Sequence, residues 1–100
     1  MIRHIVIWRL KEQALGRNRW ENARIGKEML ESLGGRIPGL LKLDVGIDLS
    51  RGGSSGDLVL VSDFEDRAAL EGYQSHPEHE RVGQFISEVR SERIVVDYEV

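Results

Sequence analysis

Two of the three histidines and one of the two tyrosines of this sequence fall within the stretch Tyr73-Gln74-Ser75-His76-Pro77-Glu78-His79. Histidine is the side chain whose ordinary pKa lies nearest neutrality, so this stretch concentrates groups able to pass a proton at physiological pH. It sits between two helical patterns. Pro77 suits the first position of the second helix, where its missing N–H costs nothing, and His76 then falls at the N-cap. His79 belongs to the first turn, where the positive end of the helix dipole disfavours an imidazolium and leaves a ring that can accept a proton. The plainer reading is that His76 caps the helix while Tyr73 and His79 pack beneath a strand. His4 shares a strand phase with Val6 and Trp8, so its imidazole points into protein, as a satisfied core histidine does. A metal site built on His76, His79, His4 and Glu78 has no established ligand spacing, and a helix N-terminus repels a cation. No metal and no cofactor is expected.

The elements that must position these residues can be read from periodicity. Residues 2 to 10 place Ile2, His4, Val6, Trp8 and Leu10 in one phase and Ile5 and Ile7 in the other, a strand with apolar residues on both faces at its centre. Asn18 followed by Glu21 is a capping-box start. Trp20, Ala23, Lys27, Leu30 and Leu33 continue at helical spacing until Gly34-Gly35 supply a left-handed stop. After the turn Ile37-Pro38-Gly39, the residues Leu41, Leu43, Val45, Ile47 and Leu49 alternate with polar ones, which predicts a strand buried on one face. Ser50 to Gly56 is a hairpin loop without the spacing of a phosphate loop. Leu58 to Val61 run without a polar break, the pattern of a central strand. Asp66 caps a short helix carrying Ala69, Leu70 and Tyr73. Val82, Phe85, Ile86 and Val89 mark the helix after Pro77, which is expected to end near Ser91. Arg93 to Val100 form a last strand with Ile94, Val96, Tyr98 and Val100 in one phase and Val95, Asp97 and Glu99 in the other.

Composition narrows the function classes. One hundred residues make one domain, residues 1–100, able to bury a single modest core. The 17 acidic and 14 basic residues give a formal charge of -3, without the basic excess of a nucleic-acid footprint. The absence of cysteine excludes disulfides, thiolate nucleophiles and zinc–thiolate sites. No apolar run suits a membrane span or signal peptide, so a cytoplasmic location is expected.

The order strand, helix, strand, strand, helix pair, strand predicts an α+β chain of ferredoxin-like βαββαβ layout, an antiparallel sheet with helices on one face. The first and third strands are apolar on both sides, which calls for a second sheet against the open face and hence a two-fold dimer. The chain as a whole resembles the stress-responsive dimeric α/β barrel (Dabb) proteins. The likeness runs through Ile2-Arg-His-Ile-Val-Ile-Trp-Arg-Leu10, Ile37-Pro38-Gly39, Asp57-Leu-Val-Leu-Val-Ser-Asp-Phe-Glu65, Tyr73-Gln-Ser-His-Pro-Glu-His79 and Val96-Asp97-Tyr98. Tyr-x-x-His-Pro-x-His is its most specific element.

The resemblance implies a homodimeric barrel that joins through the sheet face and takes a small apolar or carbonyl-containing molecule, with no established reaction. A similar plant member is a polyketide cyclase that performs an intramolecular aldol condensation without metal or cofactor. Its catalytic histidine falls on His79, its substrate-holding tyrosine on Tyr73 and the aspartate that orients the histidine on Asp97. Its pocket histidines fall on His4 and His76, and Val6 and Trp8 complete the expected ligand wall. Trp8 and Trp20 depart from its pocket and disfavour a long alkyl chain. The alternative function is therefore a cofactor-free cyclase or lyase, with His79 as base, Asp97 accepting its Nδ1 proton and Tyr73 donating to a developing enolate. A haem or quinol monooxygenase role, known elsewhere among dimeric α/β barrels, ranks behind it.

Overall fold

A computed structural model describes all 100 residues. The strands are β1 (Ile2–Leu10), β2 (Gln13–Ala14), β3 (Arg17–Asn18), β4 (Leu40–Ile47), β5 (Leu58–Phe64) and β6 (Arg90–Glu99). The helices are α1 (Arg19–Glu31), α2 (Arg67–Gln74) and α3 (Pro77–Val89). The main sheet has the order β4-β5-β1-β6 and is antiparallel throughout. The expected α+β, ferredoxin-like layout is observed, with β1 and β5 as the central pair.

Alternation along β1 divides the molecule. Ile2, His4, Val6, Trp8 and Leu10 are buried beneath the helices, against Leu30, Leu70, Tyr73, Val82 and Ile86. The opposite phase leaves Ile5 and Ile7 beside Val59 and Val61 of β5 and Ile94, Val96 and Tyr98 of β6. That face has no cover within the chain: Ile94 is 57% exposed, Val96 52% and Tyr98 43%. Its polar end is the paired Arg3 and Asp63, with Arg3 Nε 2.8 Å and Nη2 3.1 Å from the two carboxylate oxygens. The guanidinium holds Asp63 below the usual carboxylate range, and the carboxylate in turn raises Arg3.

The helix starts follow the local chemistry. Asn18 accepts from the Glu21 amide at 2.9 Å while the Glu21 carboxylate accepts from the Asn18 amide at 3.1 Å. Asp66 accepts from the Ala69 amide at 2.8 Å. Pro77 opens α3, and the Nδ1 atom of His76 accepts from the Glu78 amide at 3.1 Å. The turn before β4 requires Gly39, whose φ is +79 and where a Cβ would lie 2.5 Å from that of Ala69.

Four boundaries differ from the sequence reading. The polar stretch after β1 forms a two-stranded hairpin, β2 with β3, with Leu15 and Gly16 at positive φ in its turn. Helix α1 ends at Glu31, before Gly34. In β4 a register shift between Leu40 and Lys42 turns Leu41 outward, 55% exposed, and Leu49 lies past the strand, 93% exposed. The expected alternation holds for Leu43, Val45 and Ile47, which face the core, and fails at Leu41 and Leu49. Strand β6 begins at Arg90, directly after α3, and not at Arg93. No helix is long and apolar enough to cross a membrane.

His76 ties the α2–α3 junction to the start of α3, so its loss is measurable as stability. His76→Ala is expected to cost about 0.5–2 kcal/mol, the usual worth of an N-cap side chain. An unchanged Tm would show that its hydrogen bond to the Glu78 amide contributes nothing.

Candidate functional site

The helix-side phase of the sheet ends in a cleft of about 190 Å³ between β1, β6 and α3. Its walls are His4, Val6 and Trp8 of β1, Leu60 of β5, Leu30 of α1, Tyr73 of α2, His79, Val82, Gly83, Ile86 and Ser87 of α3, and Arg90 and Arg93 of β6. Six of the seven residues singled out from the sequence for this site lie on or directly beside it. His76 does not line it, because its ring turns back to cap α3.

Tyr73 is the pivot of the cluster. Its ring lies 4.3 Å from that of His79, 6.0 Å from that of His4 and 5.0 Å from that of Phe64, measured between centroids. It is 1% exposed, and this burial pushes the phenol up to about 12, so the hydroxyl keeps its proton and acts as a donor. A neutral donor beside two imidazoles is the composition of a proton-handling site.

The expected partnership of Asp97 with His79 is not formed. Asp97 sits directly across from His4 in the β1–β6 register, and its Oδ1 lies 2.5 Å from His4 Nδ1. Residues paired across antiparallel strands have adjacent Cβ atoms, so the carboxylate meets the strand histidine before it can reach the helix one. In the neutral ring, Nδ1 donating to Asp97 leaves Nε2 as the acceptor atom of His4. The reading of His4 as a simple core residue thus gives way to a carboxylate–histidine pair: the imidazole is buried and the carboxylate partly wet.

His79 has no such partner. Its Nδ1 is buried without a hydrogen bond of good geometry, the one buried side-chain nitrogen or oxygen of the chain in that state, and the Gln74 backbone carbonyl acts on the ring only weakly. Its pKa is depressed below 6.5, first by burial and further by the charges of His4 and Arg93, against an upward pull from the Gln74 carbonyl and Glu80. An unsatisfied buried ring nitrogen costs free energy, and beside a cleft it is an atom a ligand can satisfy.

No three His, Cys, Asp or Glu side chains converge as metal ligands, and His76 Nδ1 is already engaged at the helix cap. The two arginines were not among the residues singled out. Arg93 shares the phase of Val95 and Asp97 and was legible on that ground. Arg90 reaches the same side only through an irregularity between Arg9 and Leu10, where Leu10 pairs with Arg90 and Ser91 is the extra residue.

The low pKa of His79 has a direct consequence for stability. The unfolded chain takes up this proton near 6.5 while the folded chain resists it, so the contribution is complete above pH 6.5 and lost as pH falls through the lowered folded value. An NMR titration of the His79 ring should give a midpoint below 6.5. A midpoint at or above 6.5 would mean that water solvates the ring freely.

The sequence of residues 2–100 matches the family described as the Stress responsive A/B Barrel Domain, Dabb. No curated protein is similar enough to stand as a relative. Among solved structures, a dimeric protein of unknown function and ferredoxin-like fold from Bacteroides fragilis NCTC 9343 is 28% identical, with a TM-score of 0.87 over 99% of this chain and 95% of that one. A dimeric ferredoxin-like protein of unknown function from Jannaschia sp. CCS1 is 26% identical, with a TM-score of 0.77 over 99% of this chain and 98% of that one. A third, from Thermobifida fusca YX, shares the fold at 24% identity, with a TM-score of 0.85 over 99% and 90% of the two chains. With its four-stranded antiparallel sheet, its three helices and a match from residue 2 to residue 100, the chain belongs to the stress-responsive A/B barrel (Dabb) family.

Proposed function

We propose that this Dabb domain works as a homodimer that binds a small molecule, joined through the open sheet face and holding its ligand in the helix-side cleft of each copy. The observation that carries the ligand reading is the buried, unpartnered Nδ1 of His79 beside a cleft that Tyr73 and His4 also line. Ligand sites of this kind pair an apolar wall with a few converging polar groups. At about 190 Å³ the cleft is smaller than the roughly 300–1,000 Å³ of drug-sized sites, which selects a compact ligand.

Self-association is supported by the sheet itself. Ile5, Ile7, Val59, Val61, Ile94, Val96 and Tyr98 form one contiguous apolar face, larger in kind than the scattered apolar residues of an ordinary monomer surface. The solved structures from Bacteroides fragilis and Jannaschia are both described as dimeric. Packing two such faces about a two-fold axis removes both from water and leaves the two clefts on the outside of the sheet pair. Size-exclusion chromatography with light scattering at low micromolar concentration should return a dimer of the 11.4 kDa chain. Val96→Lys should return a folded monomer, because one lysine per copy places like charges in the interface. A monomeric wild-type protein overturns the homodimer.

A second reading, acid–base chemistry without a cofactor, is favoured by the contact of Asp97 with His4. The base in it is His4, oriented by Asp97, with Tyr73 donating to the oxygen of a developing enolate and the unpaired His79 as a further acceptor. Deuterium exchange at the carbon beside the carbonyl of a small ketone tests it. Exchange above the buffer rate that is lost in His4→Ala and in Asp97→Asn supports the reading; exchange at the buffer rate with every small ketone removes it.

A further inference from the structure

The cleft carries a charge that neither reading uses. Arg90 and Arg93 line one end of it, and neither guanidinium takes part in any ion pair of the chain. No aspartate or glutamate lines the cleft. Arginine is an always-charged, forked donor, and half-buried Arg90 with exposed Arg93 places two of them without a counter-ion at the open end of a partly apolar cleft, a local positive potential at its mouth. The field reaches the other end, since the charge of Arg93 pulls both His79 and Tyr73 downward in pKa.

Strand register orders the groups along the cleft. Arg93 lies across from Trp8, Val95 from Val6 and Asp97 from His4. Four residues of strand separate the Trp8 row from the His4 row, roughly 13 Å at the usual rise. The irregularity at Leu10 then brings Arg90 to the helix side next to Arg93. The cationic end, an apolar middle formed by Val6 and Leu60, and the Tyr73–His79–His4 end thus follow one another.

We propose that the ligand is a small organic carboxylate, its anionic group held by Arg93 and Arg90 and its apolar body lying along Val6, Leu60 and Trp8 toward Tyr73 and His79. This rests on the reading of the cleft as a ligand site and adds the ligand's chemical class. A carboxylate presents two oxygens in one plane, the match for a guanidinium fork. At about 190 Å³ the cleft lies below the range of drug-sized sites, which favours a compact body such as a single ring or a short branched chain.

Benzoate and its neutral isostere benzamide form the test pair. Trp8 fluorescence in a Trp20→Phe background is the readout, because Trp8 lines the cleft and Trp20 does not. At pH 7.5 benzoate should bind about tenfold more tightly than benzamide, the scale of one charge-assisted hydrogen-bonded pair. Added salt should shrink that ratio, a readout that needs no charge variant. Arg93→Gln, checked for folding by circular dichroism, should bring benzoate down to the benzamide affinity and leave benzamide unchanged, and Arg90→Gln should act in the same direction. Equal binding of the two ligands, with or without salt, overturns the carboxylate while sparing the ligand cleft. Tighter binding of phenyl phosphate than of benzoate overturns the choice of carboxylate. No response of Trp8 to any of the three at millimolar concentration overturns both the carboxylate and the ligand cleft.

Discussion

Two-residue alternation along β1 is the constraint on which the rest of the molecule depends. Each step along a strand reverses the side chain, so one register decides that Ile2, His4, Val6, Trp8 and Leu10 go beneath the helices and that Ile5 and Ile7 go to the open face. Because β1 pairs with both β5 and β6, that decision extends to their residues as well: Leu60 and Val95 align with Val6, and Val61 and Val96 with Ile5. A slip of β1 by one residue would move His4 to the wrong side of the sheet and part it from Asp97. The core, the cleft and the open apolar face are therefore consequences of one pairing.

Within that frame the three histidines acquire different chemistry from their surroundings alone. His76 spends Nδ1 on a helix amide, and so contributes to the junction of α2 and α3. His4 spends Nδ1 on Asp97 and keeps Nε2 as acceptor, an orientation set by a strand neighbour. His79 keeps a buried nitrogen unsatisfied and resists protonation because burial disfavours the charged ring. Tyr73 holds the last two rings in one cluster, with burial keeping its own proton in place. A cluster with an unsatisfied atom is costly to maintain as packing, which is the physical reason to read it as a site.

The sheet also separates two kinds of surface. Its open face is apolar and extended, suited to another sheet, while its helix side is concave and mixed in polarity, suited to a compact molecule. Membership of the Dabb family describes the scaffold that keeps these surfaces apart. It does not choose a ligand, since the same fold serves unrelated sites. On the proposed reading of the cleft as a ligand site, discrimination falls to residues at its ends, and those ends differ: Tyr73, His79 and His4 at one, Arg90 and Arg93 at the other.

Much of this was legible without coordinates, because it depends on neighbours in sequence. The capping residues Asn18, Asp66 and His76 act on amides two or three positions away, and Pro77 restricts only its own turn. The two-sided apolar character of β1 and β5 predicted an open sheet face, and Tyr73 and His79 declared themselves by type and spacing. The hairpin after β1, the outward turn of Leu41 and the early start of β6 were not legible: a bulge or a tight turn adds a residue without changing composition, so alternation fails at the irregular residue itself. Sequence alone determined which groups could exchange protons and on which elements they lie. Only the tertiary structure decided that Asp97 serves His4 and not His79, and that Arg90 joins Arg93 at the cleft, because both follow from strand register, a relation between residues far apart in the chain.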